Sequence, residues 1–220
     1  MIALGGTTIT KAYLGSTELA NIAIGDELLL SSEPAPLPEG VVEIEYLEKE
    51  SGKNSLIDLG TREDAIFEIT AQATGTVNTS MVLISRNSAS SGGSWFGVAS
   101  NGKWGFGTGS GAYSNVSALD KTDMTVDFTV NPVVGTINGN TFSRAKGGPN
   151  SNWILFGSLY NNYPFIGRLY SLKAYIVGKL VFDLIPCRVG NVGYLYDKIS
   201  KNLFANVNSD PFLLGTDKTI

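Results

Sequence analysis

Carboxylates are the first groups in this sequence that could do chemistry. Glu43, Glu45 and Glu48 fall in Val42-Glu43-Ile44-Glu45-Tyr46-Leu47-Glu48, and the two-residue spacing of Glu43 and Glu45 sets both on one face of a strand. Two carboxylates facing each other across a cleft, roughly 5 to 10 Å apart, could cleave a glycosidic bond. The plainer reading is a solvent-facing strand edge. Asp120, Asp123 and Asp127 could lend oxygen ligands to calcium, but their spacing is not that of an EF-hand loop. The expectation is no cofactor, with calcium as the alternative. Gly107, Gly109 and Ala112 mimic a dinucleotide-binding spacing, which needs a helix after it to aim amides at a pyrophosphate. Tyr113-Ser114-Asn115-Val116 is no helix start, so the run reads as a glycine-rich loop or strand edge.

Sugars are held by stacking on exposed rings and by hydrogen bonds from Asn, Asp, Arg and amide groups. Tyr160-Asn161-Asn162-Tyr163-Pro164 has the composition of a loop tip, and Arg86-Asn87-Ser88 opens a second polar loop. Arg86, Asn87, Tyr113, Tyr160, Asn161, Asn162 and Tyr163 are therefore the expected ligand-binding residues, with none assigned to catalysis or to a metal. Trp153 lies in an apolar run and reads as core. Trp95 and Trp104 flank one hairpin and read as core or as cross-strand partners.

Several chemistries are missing. The chain has no histidine, which removes imidazole as base, acid or metal ligand, and with it Ser-His-Asp hydrolysis and histidine-bound zinc. Its one cysteine, Cys187, cannot form an intramolecular disulfide and reads as a small buried hydrophobe. Charged residues make up 16%, against a usual ~25%, and the net charge is -4, so a nucleic-acid partner is not expected. Apolar runs are only a few residues long, far short of the roughly 18 that a membrane helix needs. The opening residues lack the basic and apolar regions of a secretory signal, which predicts folding in the cytoplasm.

The elements that must position these groups are strands. The 26 glycines, together with many Ser, Thr and Asn, punctuate β-branched and aromatic residues, so an all-β fold is expected. The first 30 residues repeat at a spacing of ten, from Leu4-Gly5-Gly6-Thr7, then Leu14-Gly15-Ser16-Thr17, then Ile24-Gly25-Asp26-Glu27, each unit reading as turn then strand. So small a meander needs a surface to pack on. Pro34, Pro36 and Pro38 mark an extended linker. The expected organisation is residues 1–31 as an N-terminal β segment, 32–40 as linker, and 41–220 as one β-sandwich. Within the sandwich, Met124–Val130 alternates strictly and predicts a strand with one wet face. Arg168–Ile176 carries large apolar groups on both faces, as for a strand between two layers. Trp153–Phe156 should be buried. Asn101-Gly102 and Asn138-Gly139 predict type I′ hairpin turns. No window predicts more than a turn or two of helix.

The C-terminal runs Phe165-Ile166-Gly167-Arg168-Leu169-Tyr170, Gly178-Lys179-Leu180-Val181-Phe182-Asp183-Leu184 and Gly193-Tyr194-Leu195-Tyr196-Asp197 resemble the closing strands of concanavalin A-like (laminin-G-like) jelly-roll domains. Val42–Glu48 and Ser55-Leu56-Ile57-Asp58-Leu59-Gly60 resemble their opening strands, so the likeness covers about residues 41 to 216. Such domains recur in bacteriophage structural proteins, and the ten-residue units resemble the N-terminal segments of virion proteins that carry them. The resemblance implies a concanavalin A-like jelly-roll sandwich behind a small N-terminal β-meander anchor.

It further implies a virion component, a head fibre or tail-associated fibre, assembled in the host cytoplasm. Residues 1–31 would dock on a capsid or tail protein, and the sandwich would face outward for glycan or host-surface adhesion. A homo-oligomer, a trimer first, would suit a fibre. No nucleic-acid or membrane partner is expected. A Glu-x-Asp-x-x-Glu strand motif, which glycosidase relatives of this fold carry, is missing, so the expectation is a non-enzymatic protein. The rival readings are a purely structural decoration or stalk protein and, behind it, a glycan hydrolase.

Overall fold

A computed structural model describes the backbone of all residues except 1, 5–6, 10–12, 15–16, 19–20, 25–26, 32–35, 61–66, 77–80, 87–93, 109, 128–132, 145–152, 158–163, 177 and 220. Side chains are described for 36–60, 68–76, 83, 96–106, 114–127, 134–143, 153–157, 164–176 and 178–219. The chain divides into two compact units, Met1–Glu39 and Gly40–Ile220.

The first unit shows what the ten-residue repeat builds. β1 (Ile2–Leu4) pairs with β2 (Thr7–Ile9), β3 (Tyr13–Leu14) with β4 (Thr17–Glu18), and β5 (Asn21–Ile24) with β6 (Glu27–Ser31), all antiparallel. Each pair straddles one of the Gly-containing dipeptides that recur every ten residues. A ten-residue unit is just long enough for one hairpin, so the repeat gives three two-stranded ladders, and among the described residues none joins its neighbour.

The second unit continues with β7 (Val41–Glu43), β8 (Leu47–Lys49), β9 (Ile57–Asp58), β10 (Phe67–Gly75), β11 (Met81–Arg86), β12 (Ser94–Val98), β13 (Lys103–Thr108), β14 (Ser110–Ser117) and β15 (Thr122–Asp127). It closes with β16 (Val133–Ile137), β17 (Asn140–Arg144), β18 (Trp153–Leu155), β19 (Gly167–Ile176), β20 (Lys179–Val189), β21 (Val192–Asp197), β22 (Leu203–Ala205) and β23 (Leu213–Leu214). No helix occurs among the described residues.

These strands form two antiparallel sheets. The larger runs β17-β16-β15-β10-β19-β20-β21-β22, with β8 and β23 continuing from one half of β19 and β7 from one half of β20. The smaller runs β14-β13-β12-β11-β18-β9. Alternation decides which side chains meet between them, because successive residues of a strand point to opposite faces. Ile69 and Ala71 of β10, Met124 and Val126 of β15, and Ile137 of β16 are all buried on the inner face of the larger sheet. The smaller sheet contributes Phe96, Trp104, Phe106 and Leu155 to the same core.

A continuous line of rings crosses that core. Phe96 stacks on Trp104 at 5.4 Å, Trp104 on Phe165 at 6.0 Å, Phe165 meets Phe156 at 6.1 Å, and Phe156 meets Phe212 at 4.7 Å. Aromatic contacts of this kind add about 0.5–1.5 kcal/mol each beyond their burial. The sheets approach so closely at Gly135 that a Cβ there would overlap the Phe106 ring.

Local details follow turn chemistry. Asn138 (φ 45°) and Gly139 (φ 78°) both take positive φ, the signature of the expected type I′ turn between β16 and β17. The β12–β13 turn differs from expectation. Only Gly102 has positive φ there (73°), Gly102 N–H bonds Ala99 O at 2.9 Å, and Ala99 N–H bonds Lys103 O at 2.8 Å. That is a longer loop with glycine at its left-handed position, and Asn101 Oδ1 accepts from Lys103 N–H at 3.0 Å. Of the glycine-rich run 105–112, residues 105–108 lie in β13 and 110–112 in β14 at the edge of the smaller sheet, as expected of a strand edge.

Candidate functional site

Of the residues singled out for ligand binding, the structure describes the backbone of Arg86 and Tyr113, both on the smaller sheet. Arg86 ends β11 opposite Trp153 of β18, and Tyr113 sits in β14 opposite Gly105. Three inter-strand spacings separate β11 from β14, about 14 Å at ~4.8 Å each. Register separates them further. Tyr113, Gly105, Gly97 and Val82 form one row across the sheet, whereas Arg86 lies four residues further along β11. The backbone therefore does not bring Arg86 and Tyr113 together. Asn87 and the loop residues Tyr160, Asn161, Asn162 and Tyr163 lie outside the described residues, as do the side chains of Arg86, Tyr113 and Trp95.

The base of that tyrosine loop is described. Phe156 leaves β18 at φ 65°, donates its N–H to Leu83 O at 2.7 Å and accepts from Phe165 N–H at 3.2 Å. Lys49, only 1% exposed, donates its ammonium to the same Phe156 O at 2.9 Å. Burial pushes the Lys49 amine down to about 8, partly offset by the charge of Asp210.

The carboxylates considered for catalysis are occupied elsewhere. Glu43 pairs with Lys218 at 2.6 Å and Glu45 accepts from Thr216 Oγ1 at 3.3 Å, both holding the C-terminal strap against residues 43–46. Asp123 accepts from Gln72 Nε2 at 2.8 Å, and Asp123 and Asp127 are four residues apart on one strand. Among the described residues no three acidic or thiol side chains converge on a metal position. Cys187 is fully buried, and burial, helped by the charge of Glu43, pushes its thiol up to about 12, which keeps it an unreactive neutral thiol.

Among the described residues, a cluster of charged and aromatic side chains around the buried Tyr170 lies on the outer face of the larger sheet. Arg168 of β19 donates Nε to Glu48 Oε2 at 2.8 Å, and its guanidinium carbon sits 4.2 Å from the centre of the Tyr46 ring. Tyr46 meets Tyr170 edge to face at 5.6 Å, and Lys121 Nζ rides 4.3 Å above the Tyr170 ring. Two cations thus cap one aromatic pair, each by an electrostatic attraction of about 0.5–1 kcal/mol at an exposed site. The Glu48 hydrogen bond, the largest cause, raises the Arg168 pKa above its ordinary value.

The sequence reading of β19 as sandwiched on both faces needs correction at this point. Tyr170 is the extra residue of a bulge between Ser171, opposite Gln72, and Leu169, opposite Ala73. Its ring faces outward and is covered by Tyr46 and Lys121, while Leu169 and Leu172 enter the core.

Around the aromatic pair the outer face is polar. Thr74 lies opposite Arg168, which lies opposite Glu48. Two residues along β10, Gln72 lies opposite Asp123. Two further, Lys173, Thr70, Thr125, Thr136 and Thr141 form one row across β19, β10, β15, β16 and β17. The face offers hydroxyls, an amide, paired ions and ring edges, a set suited to holding a hydroxylated ligand. Sequence reasoning passed over it. Its only linear signal is the pair Tyr46-x-Glu48 and Arg168-x-Tyr170, two strands of matching alternation.

Two antiparallel sheets around one core, the larger with a polar and aromatic outer face, define a concanavalin A-like jelly-roll sandwich. Among solved structures, the chain is similar to a protein from Bacteroides ovatus ATCC 8483 with an inferred carbohydrate-binding role, at TM-score 0.55 and 9% identity. That match covers 80% of this chain and 60% of the Bacteroides protein, so the chain spans less than two thirds of its length. It is also similar to the native heptameric SAP-like pentraxin from Limulus polyphemus, at TM-score 0.49 and 10% identity, covering 82% of this chain and 97% of that one. No family model matches the sequence, and no curated protein matches it.

Proposed function

We propose that the sandwich is a non-enzymatic glycan-binding module that a phage virion displays outward, with the N-terminal hairpins docking on a capsid or tail protein. One observation carries the glycan reading: the Tyr46–Tyr170 pair bracketed by Arg168 and Lys121 on a polar sheet face. Sugar recognition uses donors and acceptors for the hydroxyls beside aromatic surface; with Arg168 and Lys121 over the two rings and Tyr170 buried, this face would act through its polar and charged groups and the part of Tyr46 that meets water. The inferred role of the Bacteroides protein, which shares the fold, agrees with this reading. The virion part rests on the resemblance of the ten-residue units and jelly roll to phage structural proteins. Binding at one exposed face is weak, and a homo-oligomer, a trimer first, displayed in many copies raises avidity by orders of magnitude.

A glycan array probed with the whole chain tests the binding. Tyr46→Ala with Arg168→Ala should cut binding about tenfold or more, while circular dichroism shows an intact fold. Absence of binding to every glycan, with particles that lose stability when the protein is deleted, would overturn adhesion in favour of a purely structural decoration. Glycan-degrading activity lost on replacing Glu43 or Glu45 would favour the hydrolase instead. Electron cryomicroscopy of the particle tests the docking, and density for residues 1–31 against a capsid or tail protein is the expected result.

A further inference from the structure

We infer that the outer face of the larger sheet takes an extended, uncharged polysaccharide chain lying across the strands, through the hydroxyl row Thr70, Thr125, Thr136 and Thr141; this rests on the glycan-binding reading above. The row is built by register. Thr70 pairs with Thr125, Thr125 with Thr136, and Thr136 with Thr141, so four neighbouring strands each place one threonine at the same level. Lys173 extends the row on β19. From Lys173 to Thr141 are four strand spacings, about 19 Å at ~4.8 Å each. That is several sugar rings in length, far more than a single terminal sugar occupies.

The hydroxyls are oriented for a ligand. β-Branched threonine has a stiff first torsion, and the hydroxyls bond in pairs, Thr70 with Thr125 at 3.3 Å and Thr136 with Thr141 at 3.4 Å. Each hydroxyl carries one donor and two acceptor lone pairs. One internal bond per pair therefore leaves one donor and three acceptors for a ligand. A chain of sugars presents the complementary set of hydroxyls at every unit.

Charge selects a neutral chain. The threonine stretch carries no charge of its own, and a carboxylate lies in the row on either side of it, Asp123 beside Gln72 and Glu68 on β10. The nearest cation in the row, Lys173, is shared with Asp183 at 3.8 Å. An anionic polysaccharide would meet those carboxylates along its length. At the far end, Thr141 lies on the edge strand β17, so among the described residues no further strand of the sheet bounds the row there.

Size series of cello-, xylo- and chito-oligosaccharides, disaccharide to hexasaccharide, titrated calorimetrically into the whole chain test this, with oligogalacturonate as the anionic counterpart. In at least one neutral series, affinity should rise about tenfold from disaccharide to tetrasaccharide and then level off, and oligogalacturonate should bind more weakly. Thr125→Val with Thr136→Val should flatten the rise with chain length, whereas Thr125→Ser, which keeps the hydroxyl, should preserve it. Valine suits a strand as well as threonine does, and thermal melts check that both variants fold. Equal affinity for all lengths, an undiminished rise in the double variant, or a preference for oligogalacturonate would overturn the inference and leave glycan binding standing. No binding to any glycan, on these series and on the array, would overturn both.

Discussion

The inner and outer faces of the larger sheet are made by the same strands, yet they carry different chemistry. In β10 and β15 the inward residues are Ile69, Ala71, Met124 and Val126, while the outward ones are Thr70, Gln72, Asp123 and Thr125. The inner face is close-packed against rings of the smaller sheet, so a change of volume there is felt directly. The outer face touches water and its own neighbours. The difference separates two roles within single strands: residue i holds the sandwich together, and residue i+1 faces outward.

The sharpest way to test that division is to cut into the inner face. Trp104 is fully buried between Phe96 and Phe165, and Trp104→Ala should lower the unfolding free energy by about 3–5 kcal/mol in a denaturant titration. Trp104→Phe should cost distinctly less, because the indole N–H has no acceptor among the described residues and gives up no hydrogen bond. Next in size is Gly135, where a Cβ would run into Phe106. Gly135→Ala should destabilise by about 1–3 kcal/mol through overpacking, and a paired Phe106→Leu change should recover part of that loss.

Lys49 is the exception on the inner face, a buried cation held by Phe156 O. Its folded pKa is depressed from 10.5 to about 8. Below about pH 8 both folded and unfolded chains hold the proton, and the folded state bears the full cost of burying the ammonium. Between about 8 and 10.5 the unfolded chain still binds the proton and the folded chain does not, so this group makes stability rise with pH across that window. Subtracting melts of Lys49→Met from those of the natural chain over this range should isolate the rise; parallel curves would show that the amine is not depressed. The smallest effect belongs to the outer face. Thr125→Val should change stability by no more than about 0.5 kcal/mol, and a larger loss in the same titration would break the division between the faces.

The sandwich was largely legible in the sequence because strand alternation and turn residues are local. Met124–Asp127 of the expected strand Met124–Val130, whose residues 128–130 lie outside the described residues, the Asn138-Gly139 turn and the apolar run at Trp153 can each be read within a few residues, and each takes the expected form. The β12–β13 turn was misread because Asn-Gly is compatible with two loop lengths, and the chain takes the longer. The aromatic cluster was not legible. Tyr46, Lys121, Arg168 and Tyr170 come from separate parts of the chain, and only strand pairing brings them together.

By itself, then, the sequence determined the all-β class, the positions of most strands, the ten-residue period that becomes three hairpins, and the exclusion of imidazole chemistry. Each follows from residue type or from a period along the chain. Only the tertiary structure decided which strands are neighbours, at what register, and which face of each meets the other sheet. Alternation shows that a strand has two unlike faces, but the partner across a ladder can lie a hundred residues away, and hydrogen bonding between backbones is blind to sequence distance. Thr70 and Thr125 share a row for that reason.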